Sequence, residues 1–370
     1  MEFHVAVFDS LYIHVPFCAS RCGYCAFYSR ANAGTELQKR YLSHLRTRLE
    51  NLACRREALA SVYIGGGTPT HLAPELIAGL LDAVRSTTCL QPGAEFTMEC
   101  NPESLSAEKA MLLANRGVTR VSLGVQSFAP RLRRRLERKG RISAVEEAVE
   151  CLRAAAIPHL GIDLIYGIPG QSVNEWRRDL ERAAALGAGH ISTYALTPEE
   201  GTRLAAEAYT VPPDRLVHMW HEADSILEAR GFQRYEVSNF ALPGRECRHN
   251  VAIWHGATYL GCGPAASSFD GKLRWTEPAS LEGWLHGAAP EPDPLSVEER
   301  AAELLAFGLR TRDGWLLRSF RERTGRDALR LRGEAIRELA DQGLLTLTHD
   351  RVRPTRRGLL FADTIAERIL

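Results

Sequence analysis

The sequence predicts an α/β protein, a partial barrel of six β/α units followed by a C-terminal winged-helix-like α+β domain. Three observations predict it. Short β-rich runs recur six times in roughly the first two hundred residues, segments of helical period separate them, and the pattern changes beyond a Pro-rich boundary at Pro290. The runs read as apolar stretches rather than strict alternation, which suits a parallel sheet covered by helices with right-handed crossovers. A complete eight-unit barrel takes about 250 residues, so six units is the economical reading.

The strands are expected at 10–17 (SLYIHVPF), 61–67 (SVYIGGG), 95–100 (EFTMEC), 120–128 (RVSLGVQSF), 159–169 (HLGIDLIYGIP) and 190–197 (HISTYALT). Between them LQKRYLSHLRTRLENL, APELIAGLLDAV, SAEKAMLLANRG, SAVEEAVECLRAA and VNEWRRDLERAAALG carry helical spacing, most with Ser, Thr or Pro near the start and Gly near the end. Residues 1–231 therefore form the barrel. Residues 232–289 are irregular and rich in Gly and aromatics, and residues 290–370 form the C-terminal domain. That last stretch ends in two helices and the hairpin LLTLTHDRVRPTRRG, whose Arg351, Arg353, Arg356 and Arg357 are read as a solvated face rather than a DNA-binding wing.

Composition bounds the function. Of 370 residues, 45% are apolar and 25% charged, enough to bury a large core. Lys plus Arg (46) nearly cancels Asp plus Glu (45), so no overall field recruits nucleic acid, and none is expected as a partner. The segment MEFHVAVFDSLYIHV has no basic region or cleavage site and no stretch reaches 18 uninterrupted apolar residues. The expected location is the cytoplasm, where thiols stay reduced.

Against that background the stretch FCASRCGYCAF is unusual. Nine cysteines are spread over the chain, yet Cys18, Cys22 and Cys25 follow one another as C-x3-C-x2-C; a chance match is expected at roughly half a percent. Three thiolates on the loop leaving the first strand can ligate three irons of a 4Fe-4S cluster and leave the fourth open for a ligand. A zinc site is the alternative. It would want a fourth ligand, and the nearest, His14, precedes the loop. Cys54, Cys89, Cys100, Cys151, Cys247 and Cys262 are scattered and read as small buried hydrophobes.

YIHVPFCASRCGYCAF, followed in order by YIGGGTPT, EFTMECNP, GVQSF and IDLIYGIPGQ, resembles the radical S-adenosylmethionine (SAM) superfamily over nearly the whole chain. Within it the sequence is similar to the branch holding the oxygen-independent coproporphyrinogen III oxidases (HemN) and the HemW heme chaperones. The resemblance implies a radical SAM barrel in which the open iron chelates the amino and carboxylate groups of SAM, and one electron from the reduced cluster splits the sulfonium bond. A flavodoxin- or ferredoxin-type reductant is implied with it. Gly66, Gly67 and Thr68 close a parallel strand, where a backbone free of side chains can approach a ligand. Glu99 and Asp163 end apolar strands, where an unpaired carboxylate is costly, so each is expected to accept hydrogen bonds from ribose or a basic partner. Gln126 ends the fourth strand in the same layer. By resemblance Tyr12, Tyr24 and Arg138 flank the nucleotide or SAM, although Arg138 sits in the basic run RLRRRLERKGR, where any arginine can simply be solvated.

Departures choose within the branch. The oxidases carry a further cysteine two positions after the third, where this chain has Phe27, and a longer extension before the cluster loop than the 17 residues preceding Cys18. HemW proteins carry HNxxYW, and here the motif reads His249, Asn250, Val251, Ala252, Ile253, Trp254, with Ile253 in place of the usual Tyr. The resemblance makes His249 an axial ligand for heme, with His255 as the adjacent alternative and a hydrogen-bonded loop histidine as the plain reading. Two functions stand. One is a heme chaperone that delivers heme to apo-hemoproteins such as respiratory enzymes, with peripheral membrane contact but no membrane span. The other is a radical SAM enzyme that decarboxylates porphyrinogens or methylates as the HemN-like methyltransferases do.

Overall fold

Six strands alternate polar and apolar along their length. β1 (Ser10–Val15), β2 (Leu59–Gly66), β3 (Leu90–Cys100), β4 (Arg120–Gln126), β5 (His159–Tyr166) and β6 (His190–Ala195) lie side by side in that order, all parallel. The computed structural model describes residues 8–52, 58–207 and 209–370. Successive side chains of a strand point to opposite faces. Ile13, Val62, Ile64, Val121, Leu123, Ile162, Leu164 and Ile191 point outward and are 0% exposed beneath the helices. Each such side chain contributes about 1.5–3 kcal/mol by leaving water. The other face carries Tyr63, Thr97, Glu99, Ser122, Asp163, His190, Ser192 and Tyr194, and it surrounds a cavity. The expected apolar runs are thus alternations with an unusually dense apolar half.

Helices Thr35–Leu52, Pro74–Thr87, Ala107–Asn115, Ser143–Ala154 and Val173–Ala185 cover the outer face. Local chemistry starts them: Ser106 caps the N–H of Lys109, and Ser172 with Glu175 forms a capping box. Trp176 locks the last of them down, its indole N–H donating to the Met219 carbonyl at 2.8 Å.

Residues 232–289 place strands on both edges of this sheet. Gln233–Arg234 and Asn239–Ala241 extend it antiparallel beyond β6, while Tyr259–Cys262 runs parallel to β1 and leads into two further antiparallel strands, with a third, Glu291–Asp293, added from just past the expected boundary at residue 290. The result is one twelve-stranded sheet whose six central strands curve into an open barrel. The helix Arg248–Trp254 closes the barrel at the N-terminal ends of the strands. Glu95, midway along β3, accepts the backbone N–H groups of Arg248 and His249 at 3.2 and 3.0 Å and the Cys247 thiol at 3.4 Å. Its partner Arg120 bonds it at 3.0 Å and also holds the carbonyls of Arg245 and Glu246 at 2.9 and 2.8 Å. This buried pair is fully hydrogen-bonded, the condition under which buried charge is tolerated.

The C-terminal domain has its own core around Trp315, Phe320, Ile336 and Val352, built from helices Val297–Gly308, Leu317–Thr324 and Ala328–Asp341 and a three-stranded wing. Its arginines are less free than expected. Arg356 reaches Asp224 of a barrel helix at 2.9 Å, and Arg351 and Arg357 bond the carbonyls of Asp313 and Gln342. The scattered cysteines also divide: Cys100, Cys247 and Cys262 are buried, Cys151 is half-buried, Cys89 is exposed, and Cys54 lies outside the described residues.

Glu95→Ala should cost about 3 kcal/mol or more, because it strands the Arg120 charge and two backbone donors in the barrel floor. Urea unfolding checks this. Arg46→Ala, which breaks an exposed helical pair with Glu50, should cost under about 0.5 kcal/mol in the same experiment.

Candidate cofactor site

The loop after β1 is fixed to the barrel by its own backbone. Phe17–Cys18 pairs with Arg30–Ala31, the Gly23 N–H bonds the Leu136 carbonyl at 3.2 Å, and the Gly23 carbonyl accepts the Leu204 N–H at 2.9 Å. Thr68 donates its N–H to the Phe17 carbonyl at 2.8 Å, and its hydroxyl lies 3.6 Å from Cys18 Sγ. The β2 glycines are required by this packing. Gly66 has φ +108°, and a Cβ there would meet the His14 ring at 2.8 Å; a Cβ on Gly67 would meet the Phe17 carbonyl oxygen at 2.8 Å. Their freedom thus serves the seating of the cysteine loop as well as any approach to a ligand.

Cys18, Cys22 and Cys25 all face one cavity of about 880 Å³ that runs from this loop down the barrel. Burial raises the Cys18 and Cys25 thiols above the ordinary range, opposed by the Thr68 hydroxyl at Cys18 and the Phe27 N–H at Cys25. His14 supplies no fourth ligand. Its two ring nitrogens face the Tyr12 hydroxyl at 3.2 Å and the Tyr28 carbonyl at 2.8 Å. Among the described residues no three His, Cys, Asp or Glu side chains are arranged around a single metal ion.

Deeper in the cavity stand two carboxylates. Glu99 accepts the Tyr63 hydroxyl at 2.9 Å and the Gly66 N–H at 3.1 Å. Asp163 accepts the Ser122 hydroxyl at 3.0 and 2.9 Å and the Ser192 hydroxyl at 2.6 Å. Neither makes an ion pair among the described residues. Burial, with the Asp163 charge adding to it, pushes Glu99 up to about 7, while Tyr63 and Gly66 hold it down. Burial raises Asp163 as well, against its serine donors and the Arg138 charge. The Thr97 hydroxyl, 0% exposed and facing the same space, has no partner among the described residues. A ligand with hydroxyl or amino donors suits these acceptors.

Tyr24, Gly66, Gly67, Thr68, Gln126 and Arg138 complete the wall beside the cysteines and carboxylates. Gln126 takes φ +70° at a register shift that ends β4. Arg138 is not a solvated member of its basic run: it donates to the Gly124 carbonyl beside Tyr24 and Cys22, and its Nε lacks a partner among the described residues. Two expected residues lie elsewhere. Tyr12 stands behind the wall, its hydroxyl on His14. His249 is 3% exposed beneath Tyr63, with Nδ1 2.8 Å from Ser61 Oγ, and does not face the cavity. His255 is also engaged, its ring nitrogens 2.9 and 3.0 Å from the carbonyls of Val251 and Gly314. Sequence reasoning passed over Tyr63, Ser122, Ser192 and Tyr194, all of which line the cavity. The polar half of each strand's alternation was the signal that could have found them.

Comparison with known proteins agrees with this architecture. Residues 12–183 match the profile of the Radical SAM superfamily, and residues 295–361 that of the HemN C-terminal domain. The chain is 40% identical to "Heme chaperone HemW" of Mycobacterium tuberculosis over 97% of its own length and 94% of that protein's. It is 34% identical to "Heme chaperone HemW" of Escherichia coli over 98% of both chains. It is 33% identical to "Radical S-adenosyl methionine domain-containing protein 1, mitochondrial" of Bos taurus, over 96% and 86%. The solved structure of coproporphyrinogen III oxidase (HemN) from Escherichia coli shares the fold with a TM-score of 0.87 at 20% identity, covering 100% of this chain and 91% of that one. No helix among the described residues is long and apolar enough to cross a membrane. The chain belongs to the HemW family of the radical SAM superfamily.

Proposed function

We propose that this chain is a heme chaperone that holds a 4Fe-4S cluster on Cys18, Cys22 and Cys25 and SAM in the adjoining cavity, and passes heme to apo-hemoproteins. The observation that carries the cofactor reading is one continuous cavity with three thiols at one end and, farther in, two carboxylates that make no ion pair among the described residues. A cluster bound by the three thiolates supplies an iron open to the amino and carboxylate groups of SAM and, when reduced, the electron that cleaves its sulfonium bond. The chain's own residues do the rest. Thr68 sets its hydroxyl beside Cys18, Glu99 and Asp163 offer acceptors to ribose hydroxyls or to the amino group, and Arg138 and Gln126 bound the space beside the loop. The relatives' names support heme as cargo. So does Phe27, 70% exposed at the position where the oxidases carry their extra cysteine.

Heme ligation by His249 needs the Arg248–Trp254 helix to release it from beneath Tyr63, and ligation by His255 needs its hold on Gly314 to break. Heme capture in this reading is therefore coupled to movement of the barrel floor. Delivery, the external reductant and contact with a membrane surface lie on the same proposal.

Anaerobic reconstitution should give about four irons and four sulfides per chain. Any one of Cys18→Ala, Cys22→Ala or Cys25→Ala should lose them, and full iron retention in the triple variant would defeat the assignment. Asp163→Asn should keep the cluster and weaken SAM at least tenfold by calorimetry; unchanged affinity would place SAM elsewhere. Purified protein should bind heme, with occupancy reduced in His249→Ala or in His255→Ala, and should leave coproporphyrinogen III intact with SAM and a strong reductant. Robust protoporphyrinogen formation would favour the porphyrinogen-oxidase reading instead.

A further inference from the structure

The Arg248–Trp254 helix reaches the carboxylate end of the cavity through one stacked pair of rings. His249 lies under Tyr63 with ring centroids 5.1 Å apart and planes 32° from parallel. The Tyr63 hydroxyl, at the far side of that ring, donates to Glu99 at 2.9 Å. His249 is itself fixed twice: Nδ1 lies 2.8 Å from Ser61 Oγ, which donates to Ser10 Oγ at 2.9 Å, and its backbone N–H donates to Glu95 at 3.0 Å. Tyr12, beside Tyr63 on the neighbouring strand, has its ring centroid 6.1 Å away. Every link in this line is buried or half-buried, and each is short.

We propose that His249 is a positioning residue for the cavity: from the barrel floor it holds the Tyr63 ring in the orientation that keeps its hydroxyl on Glu99. Glu99 has two donors, and only the Gly66 N–H is fixed by the backbone. The Tyr63 hydroxyl stays in place because the ring beneath it cannot swing. The floor helix is tied in turn to the C-terminal domain, His255 to Gly314 and Trp254 against Phe307 at 5.8 Å. The role of Glu99 toward SAM is the reading proposed above; the support of Glu99 by His249 and Tyr63 is separate from it.

Losing the Tyr63 hydroxyl removes a hydrogen bond to the ionised form of Glu99, so protonation should become easier and its midpoint should rise from about 7. The titratable groups close enough to act on Glu99 are Tyr12 from β1, Tyr63 from β2, Cys100 from its own strand, Asp163 from β5 and Tyr194 from β6, and of these Tyr63 alone donates to it. The test is a pH titration of the Glu99 carboxyl stretch in full-length protein, assigned by its disappearance in Glu99→Gln. Tyr63→Phe should raise the midpoint by about one pH unit, His249→Ala should raise it by a smaller amount, and His249→Phe should restore the native value, because a phenyl ring can stack on Tyr63. Phenylalanine cannot ligate iron, so this variant also separates positioning from heme binding. An unmoved midpoint in Tyr63→Phe or His249→Ala, or failure of His249→Phe to restore it, overturns the inference. Calorimetric SAM affinity of cluster-loaded Tyr63→Phe should fall several-fold. A shifted midpoint with unchanged affinity leaves the inference standing and removes Glu99 from the SAM site.

Discussion

Six parallel strands with polar and small residues facing inward cannot close on themselves as a filled core. Barrels of this general kind ordinarily fill their interior with bulky branched side chains. Here the inward positions are Tyr63, Thr97, Glu99, Ser122, Gly124, Gly161, Asp163, His190, Ser192 and Tyr194, and the space between them stays open. The stability lost inside is recovered outside, where the alternate residues of the same strands are sealed under helices. The cost of polar groups in a shielded space is met by pairing them with one another: Ser122 and Ser192 on Asp163, Tyr63 on Glu99, Tyr235 on His190. The cavity is thus a direct consequence of the strand pattern, and its two ends are closed by different parts of the chain.

The upper end is closed by the cysteine loop, held by backbone bonds to Thr68, Leu136 and Leu204 as well as by its own short strand pair. The lower end is closed by the Arg248–Trp254 helix, which the chain supplies only after completing the barrel. The pair Glu95 and Arg120 gathers the carbonyls and N–H groups of residues 245–249 into one buried network, so the floor is positioned by charge-assisted hydrogen bonds rather than by apolar packing alone. Because the same helix contacts the C-terminal domain through Trp254 and His255, the domain and the cavity share a boundary one helix thick. Asp224, clasped by Arg234 of the sheet edge and Arg356 of the C-terminal domain, makes a second tie between them.

What was legible in the sequence follows the range of the interactions. The cysteine spacing is a property of eight consecutive residues, and the barrel order follows from local periods, so both could be read directly. The carboxylates at 99 and 163 were found because an acidic residue in an apolar strand is conspicuous. Tyr63, Ser122 and Ser192 were passed over because small hydroxyl residues within dense apolar runs look like ordinary strand composition; only their shared phase across several strands marks them as one surface. The position of His249 was not legible, since it depends on Ser61 and Glu95, which lie 188 and 154 residues away. The same holds for Arg356, whose partner is 132 residues distant. A basic run shows charge and not what the fold does with it, and Arg138 turned inward while Arg134 stayed exposed.

The central claim is that the open polar interior of the barrel is a cofactor chamber with a metal cluster at its mouth. Diffraction at the iron absorption edge from crystals of anaerobically reconstituted protein grown with SAM tests this most directly. The account predicts one compact iron peak bonded to Cys18, Cys22 and Cys25, with continuous ligand density running from it toward Glu99 and Asp163. Iron absent from those thiols, or an interior in which side chains have collapsed to fill the space between the two carboxylates, would contradict it.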